Sequence, residues 1–130
     1  MNAKPKTYSH GVPWEEEHGI VQGYRVNDTV HISGQFSHDT QGNFIDGDIT
    51  AQTLRAFENL DRVLAGFGLS RTNIAYVELY LTNAQAHFET AVGLYRAYIG
   101  DHRPAGSCIG VTYLASPDQL VEVRAVAHTD

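Results

Sequence analysis

An α+β fold with the order β-β-α-β-α-β-β is predicted by three features of the sequence. Short stretches alternate apolar and polar residues with a period of two, as half-buried strands do. Two longer stretches, about 48–67 and 83–100, repeat apolar residues at steps of three and four, the helical period. Capping and turn residues fall at the joints between them. Two helices that cross over between strands favour a mixed sheet with both helices on one face.

The first nineteen residues carry Pro5, Gly11, Pro13 and Gly19 and read as an irregular arm, with Trp14 pinning it to the body. Glu15-Glu16-Glu17 within it reads as a solvated acidic patch. Ile20 to Arg25 and Thr29 to Gln35 read as two strands around an Asn27-Asp28 turn. Asp39 to Gly47 is polar and reads as a loop.

Asp48 or Thr50 can cap a helix that runs to about Phe67 and stops at Gly68. Leu54, Phe57, Leu60, Leu64 and Phe67 give it one apolar face. Asn73 to Thr82 sets Val77, Leu79 and Leu81 against Tyr76, Glu78 and Tyr80, a strand with one greasy side. Asn83 can cap the second helix, which carries Phe88, Val92, Tyr95 and Ile99 and ends at Gly100. Ser107 to Tyr113 and Leu120 to Ala127 close the chain as strands around Ser116-Pro117-Asp118. Tyr76, Tyr80, His31 and Val126 are expected on the sheet face away from the helices. A half-apolar open face of this kind favours self-association into a closed homo-oligomer.

The 130 residues suit one compact domain, read as 1–130 with the arm at 1–19; no internal repeat or linker divides them. Hydrophobic residues make up 42% and charged residues 18%, which argues against disorder. A formal charge of −6 disfavours general nucleic-acid binding. The lone cysteine, Cys108, fits a reducing, cytoplasmic compartment. Met1 to His10 lacks the apolar region of a signal peptide, and no run approaches the roughly 20 apolar residues of a membrane span.

Several short motifs follow one another along the chain. They are Ile32-Ser33-Gly34-Gln35, Ala51-Gln52-Thr53, Glu58-Asn59-Leu60 and Phe67-Gly68-Leu69. Arg103-Pro104-Ala105 then precedes Ser107-Cys108, and Val121-Glu122-Val123 precedes Ala125-Val126-Ala127. Each is weak alone; in this order and spacing the chain resembles the Rid (YjgF) family, also known as translation-initiation inhibitors or L-PSP endoribonucleases. The resemblance covers nearly all residues after Gly19. It implies a chorismate-mutase-like fold, a homotrimer with small-metabolite clefts between subunits, and hydrolysis of reactive enamines and imines to 2-oxo acids and ammonia. It implies no metal or organic cofactor; no nucleic-acid partner is expected from the acidic charge and no membrane partner from the lack of an apolar span.

By this resemblance Glu122 stands where the family's water-activating glutamate stands, and Cys108, Ser33 and Gly34 fall at cleft positions. Three other cleft positions depart from the pattern. Gly106 replaces the arginine that clamps a substrate carboxylate, Ile20 a tyrosine of the first strand, and Val92 an asparagine of the second helix. The water-activating side is thus retained and the carboxylate-binding side is missing. A charge-assisted carboxylate contact is worth roughly 1.5–3 kcal/mol, so 2-imino acids should be poor substrates.

Arg124, two residues after Glu122 and on the same strand face, is the first replacement for the missing cation, and Arg103 the second. The plainer reading pairs Arg124 with Glu122 or Glu78 inside the sheet. Cys108 reads as a cleft-wall thiol rather than a nucleophile, since no histidine has an identifiable partner position. His31 and His38 flank Ser33-Gly34; surface histidine is the first reading and proton donation to the cleft the second. None of the seven histidines has metal-site spacing. The alternative to an enamine/imine deaminase is a non-catalytic trimer that binds a small metabolite or a protein partner in the same clefts. An endoribonuclease is disfavoured by the acidic charge and the lack of a basic patch.

Overall fold

The computed structural model describes residues 5–129. Six strands form one mixed sheet in the order β1-β2-β3-β6-β4-β5. They are β1 (Thr7–Tyr8), β2 (Gly23–Val26), β3 (Thr29–Gln35), β4 (Ile74–Thr82), β5 (Ala105–Val111) and β6 (Val121–His128). The helices are α1 (Pro13–His18), α2 (Ile49–Gly66) and α3 (Ala84–Ile99), with a short 3₁₀ turn at Arg71–Asn73. Every neighbouring pair of strands is antiparallel except β4 and β5, which α3 joins as a parallel crossover.

The predicted order of the main elements holds, and the helices α2 and α3 share one face of the sheet. Beneath them Val30, Ile32, Leu60, Val63, Leu64, Val123 and Ala125 form a core that is almost wholly removed from water. Asp48 caps α2, its side chain accepting the amide of Ala51 at 2.8 Å. Asn83 stands at the N-terminus of α3, but in a left-handed conformation (φ 49°) and without a side-chain capping bond. Asn27 adopts φ 54° in the two-residue turn that sets Val26 opposite Thr29.

Two expectations about the N-terminal segment are corrected. The arm is not irregular: Thr7–Tyr8 pairs with β2, and Pro13–His18 forms a helix with proline in its first turn and Gly19 at φ 75° as its C-cap. Nor is the acidic run uniformly solvated. Glu15 is only 5% exposed, and its carboxylate accepts the amides of His10, Gly11 and Val12 and the Gln22 side chain at 2.8–3.0 Å. Trp14 does pin the segment, through a 2.9 Å bond from its indole N–H to the Gly42 carbonyl and ring contacts with Phe36 and His38. Ile20 to Gln22 lie outside β2, because the Ile20 amide bonds the Glu15 carbonyl and the Gln22 amide the Tyr8 carbonyl.

Candidate functional site

On β6 the side chains alternate. Val121, Val123, Ala125 and Ala127 enter the core, while Glu122, Arg124 and Val126 face the open side. The neighbouring strand β4 sets Tyr80 beside Glu122, Glu78 beside Arg124 and Tyr76 beside Val126. On the far side of β6, β3 carries Ser33 and Gly34 opposite the single residue Arg124, a bulge between the pairs Ile32–Ala125 and Gln35–Val123. A Cβ at Gly34 would overlap the Glu122 carboxylate, so a larger residue there would displace that side chain.

Burial pushes the Glu122 carboxyl above the ordinary glutamate range, opposed by a hydrogen bond from Gln119. That bond runs from Gln119 Nε2 to Glu122 Oε1 at 3.1 Å. The second oxygen, Oε2, lies against Gly34. A hollow of about 630 Å³ opens beside the carboxylate, walled by Tyr113, Leu114, Ala115 and Pro117. A half-buried carboxylate with a raised pKa and, among the described residues, no donor to its second oxygen is equipped to take a proton from water.

The loop bearing these walls is fixed from α2. Gln52, fully buried, donates to the carbonyls of Gly47 and Asp118 and accepts the amide of Leu120, all at 2.9–3.0 Å. Gln52 belongs to the Ala51-Gln52-Thr53 motif, so that motif has a structural reason: it holds the approach to β6. Asn59 of the next motif does the same for the segment after β3, donating to the carbonyls of Phe36 and His38.

The remaining predicted residues divide between places. Gly106 and Cys108 lie on the helix-facing side of β5, beside Val77 and Leu79, with Val92 and Tyr95 of α3 above them; together they border a cavity of about 230 Å³. Glu122 is on the other side of the sheet. One chain therefore does not bring Glu122 together with Gly106, Cys108 and Val92. Ile20, 42% exposed, borders a hollow with Gly11, Pro13 and Glu16. The Ser33 hydroxyl is engaged by the Val21 carbonyl at 2.8 Å.

Within one chain, Arg124 lies on the sheet face opposite Gly106. Arg124 Nη1 binds Glu78 Oε1 at 3.1 Å, the plainer of the two readings, and Tyr80 donates to the same carboxylate. Arg103 is exposed. Position 106 itself is crowded: an added Cβ would stand 2.7 Å from the Val77 carbonyl oxygen and 2.9 Å from its side chain. Burial raises the Cys108 thiol pKa, which suits a wall rather than a nucleophile. His31 is exposed, whereas His38 is not a surface residue: it is 1% exposed, packed among Trp14, Phe36 and His10, with Nδ1 on the Asp39 carbonyl. Phe36, Trp14 and the Asn59 bonds draw it inward, which no local pattern in the sequence announces. Among the described residues no group of three His, Cys, Asp or Glu could hold a metal ion.

Gln119 is the site residue that sequence reasoning missed. It lies in a turn rather than in a periodic element, and only the folded loop carries its amide to Glu122.

The comparisons bear on the family and the fold. Residues 14–129 match the family model described as Endoribonuclease L-PSP. A RutC family protein from Pyrococcus abyssi is 30% identical over 110 residues, covering 84% of this chain and 85% of that one. The protein named 3-aminoacrylate deaminase RutC from Acinetobacter baylyi is 28% identical over 109 residues, 83% of this chain and 85% of its own. The crystal structure of Rv2704 from Mycobacterium tuberculosis, of the YjgF/YER057c/UK114 family, shares the fold with a TM-score of 0.84 at 24% identity, covering 94% of this chain and 97% of that one. With its family motifs in order and a model match over nearly its whole length, the chain belongs to the L-PSP endoribonuclease family, the Rid/YjgF family.

Proposed function

We propose that the protein hydrolyses reactive enamines or imines to a carbonyl compound and ammonia, with Glu122 as the group that activates water. The observation that carries this reading is the Glu122 carboxylate, half-buried, raised in pKa and bordering an open hollow, with Oε2 unbonded among the described residues. Water adds to the protonated C=N carbon while Glu122 takes a proton from it. The resulting carbinolamine releases ammonia once its nitrogen is protonated, and the C–N bond breaks as the C=O bond forms. The relative named for 3-aminoacrylate deamination supports C–N chemistry of this kind.

The reading includes a second copy of the chain. Glu122 and the Gly106–Cys108–Val92 cavity occupy opposite sheet faces, so a ligand that touches both needs two chains. The open face, with Tyr76, Tyr80, Val126 and His31, supports a homotrimer with clefts between subunits. Cytoplasmic location is part of the same proposal, on the strength of the single cysteine; among the described residues no helix is long and apolar enough to cross a membrane.

The substrate is one that does not depend on a carboxylate clamp. Gly106 is too crowded for a larger residue, and Arg124 is engaged by Glu78. Loss of a bidentate carboxylate contact lowers affinity by about one to two orders of magnitude.

An amino-acid or amine oxidase that generates a panel of imines, with semicarbazide trapping of what survives, tests the proposal. Turnover of at least one imine by the parent, lost in Glu122→Ala, supports it. A second reading, a metabolite-binding trimer without catalysis, is favoured only by the cavity under α3, whose walls carry no carboxylate or imidazole. Silence across the panel with saturable ligand binding would select it.

A further inference from the structure

Gln119 is 2% exposed, and all of its side-chain polar atoms are spoken for. Nε2 donates to the Val121 carbonyl at 3.2 Å and to Glu122 Oε1 at 3.1 Å, and Oε1 accepts the Ser116 amide at 3.3 Å. These three bonds fix the direction of the amide. Reversed, its carbonyl would face the Val121 carbonyl and a carboxylate, and its NH₂ group would meet the Ser116 N–H. The backbone on either side is held as well: Gln52 donates to the Asp118 carbonyl and accepts the Leu120 amide, and the Thr82 amide bonds the Leu120 carbonyl. The donor is therefore aimed at Glu122 by parts of the fold that do not touch the hollow.

We propose that Gln119 is a positioning residue for Glu122: it holds Oε1 in a fixed hydrogen bond, so that Oε2, set against Gly34, is the oxygen that receives the proton of the attacking water. The proposal rests on Glu122 acting as the base. Its physical content is twofold. A carboxylate held at one oxygen has a single productive orientation, which removes rotamers that would point the base away from the water. A donor to the charged form also offsets burial, keeping Glu122 ionised further down the pH scale than burial alone allows. The titratable groups nearest in the sheet are Tyr80 on β4 and Arg124 along β6, with Tyr113 on the loop; Arg124 and Tyr80 are both bound to Glu78.

The test needs no substrate. Glu122 is titrated by NMR through its side-chain carboxyl carbon, assigned by its loss in Glu122→Gln, in the parent, in Gln119→Met and in Gln119→Glu. The midpoint moves up by about one pH unit when the donor is removed in Gln119→Met. It moves further in Gln119→Glu, where a second carboxyl group faces the first. In the parent the Gln119 side-chain NH₂ signals shift with the same midpoint as Glu122, a reading that depends on no variant folding. With an imine the parent turns over, Gln119→Met lowers kcat more than it raises KM, and the acid limb of its pH profile moves up with the Glu122 midpoint. An unchanged Glu122 midpoint in a natively folded Gln119→Met, or parent NH₂ signals blind to the Glu122 titration, overturns the proposal. Failure of the parent to hydrolyse any imine sinks the function proposed above instead, and the titration still reads the Gln119–Glu122 bond by itself.

Discussion

Holding a carboxyl group half out of water has a cost that Glu122 makes measurable. Its folded-state pKa is raised, so this group stabilises the fold below the unfolded value and loses that contribution as the pH rises through the folded one. Glu122→Gln removes the penalty. Thermal denaturation at neutral pH is expected to give a higher Tm for Glu122→Gln than for the parent, the gap narrowing towards the ordinary glutamate range, while imine turnover is lost. Gly106 presents the opposite case, a small residue enforced by packing. Gly106→Arg pushes a Cβ to within 2.7 Å of the Val77 carbonyl, and overpacking of this sort costs about 1–3 kcal/mol, measurable by urea unfolding. Such a variant does not regain 2-imino acid activity, because the strand must move before the guanidinium can be placed. The sequence alone identified both positions, Glu122 by its family motif and Gly106 by its departure from one. The steric reason for glycine became visible only with Val77 beside it.

Elements whose stability comes from a repeating apolar face were legible: β3, α2, β4, α3 and β6 were placed within a few residues because burial recurs at their own period. The segment from Thr7 to Gln22 was not, because what orders it is a single buried carboxylate and its distant partners. Burial pushes the Glu15 pKa up, but the Gln22 side chain and three backbone amides outweigh it and hold it below the ordinary range. Glu15→Ala leaves four donors without an acceptor and is expected to cost about 3 kcal/mol or more in chemical denaturation. The same segment makes the fold acid-sensitive. Desolvation lowers the pKa of both His10 and His38; Gln35 and Glu15 act against it at His10, Asp39 and Glu15 at His38, and Arg62 adds to it at both. An unfolded chain therefore takes up these protons first as the pH falls. Stability from the pair is complete above about pH 6.5 and is lost below it as the folded values are approached. Urea midpoints at about pH 7.5 and about pH 5.5 are expected to differ in that direction, with a smaller difference in His38→Phe.

At the scale of the whole molecule, the sheet separates the two halves of the proposed site, so the proposed chemistry requires assembly. Motifs in the sequence named residues from both halves, yet nothing in one chain's sequence says which sheet face each will occupy; that follows from the β4–β5 and β4–β6 registers. Val126 lies on the open face with His31 and Tyr76 as its neighbours across the strands. Val126→Asp puts a charge at the centre of the face proposed to be covered. Sedimentation is expected to show a trimer becoming a folded monomer, with turnover lost along with it. The most direct measurement of the account is the ratio of kcat/KM for an imine without a carboxylate to that for the 2-imino acid of the same carbon skeleton, in the parent and in Glu122→Gln. The expected ratio is well above one in the parent, with no turnover of either compound in the variant. Preference for the 2-imino acid, or turnover that survives in Glu122→Gln, would contradict it.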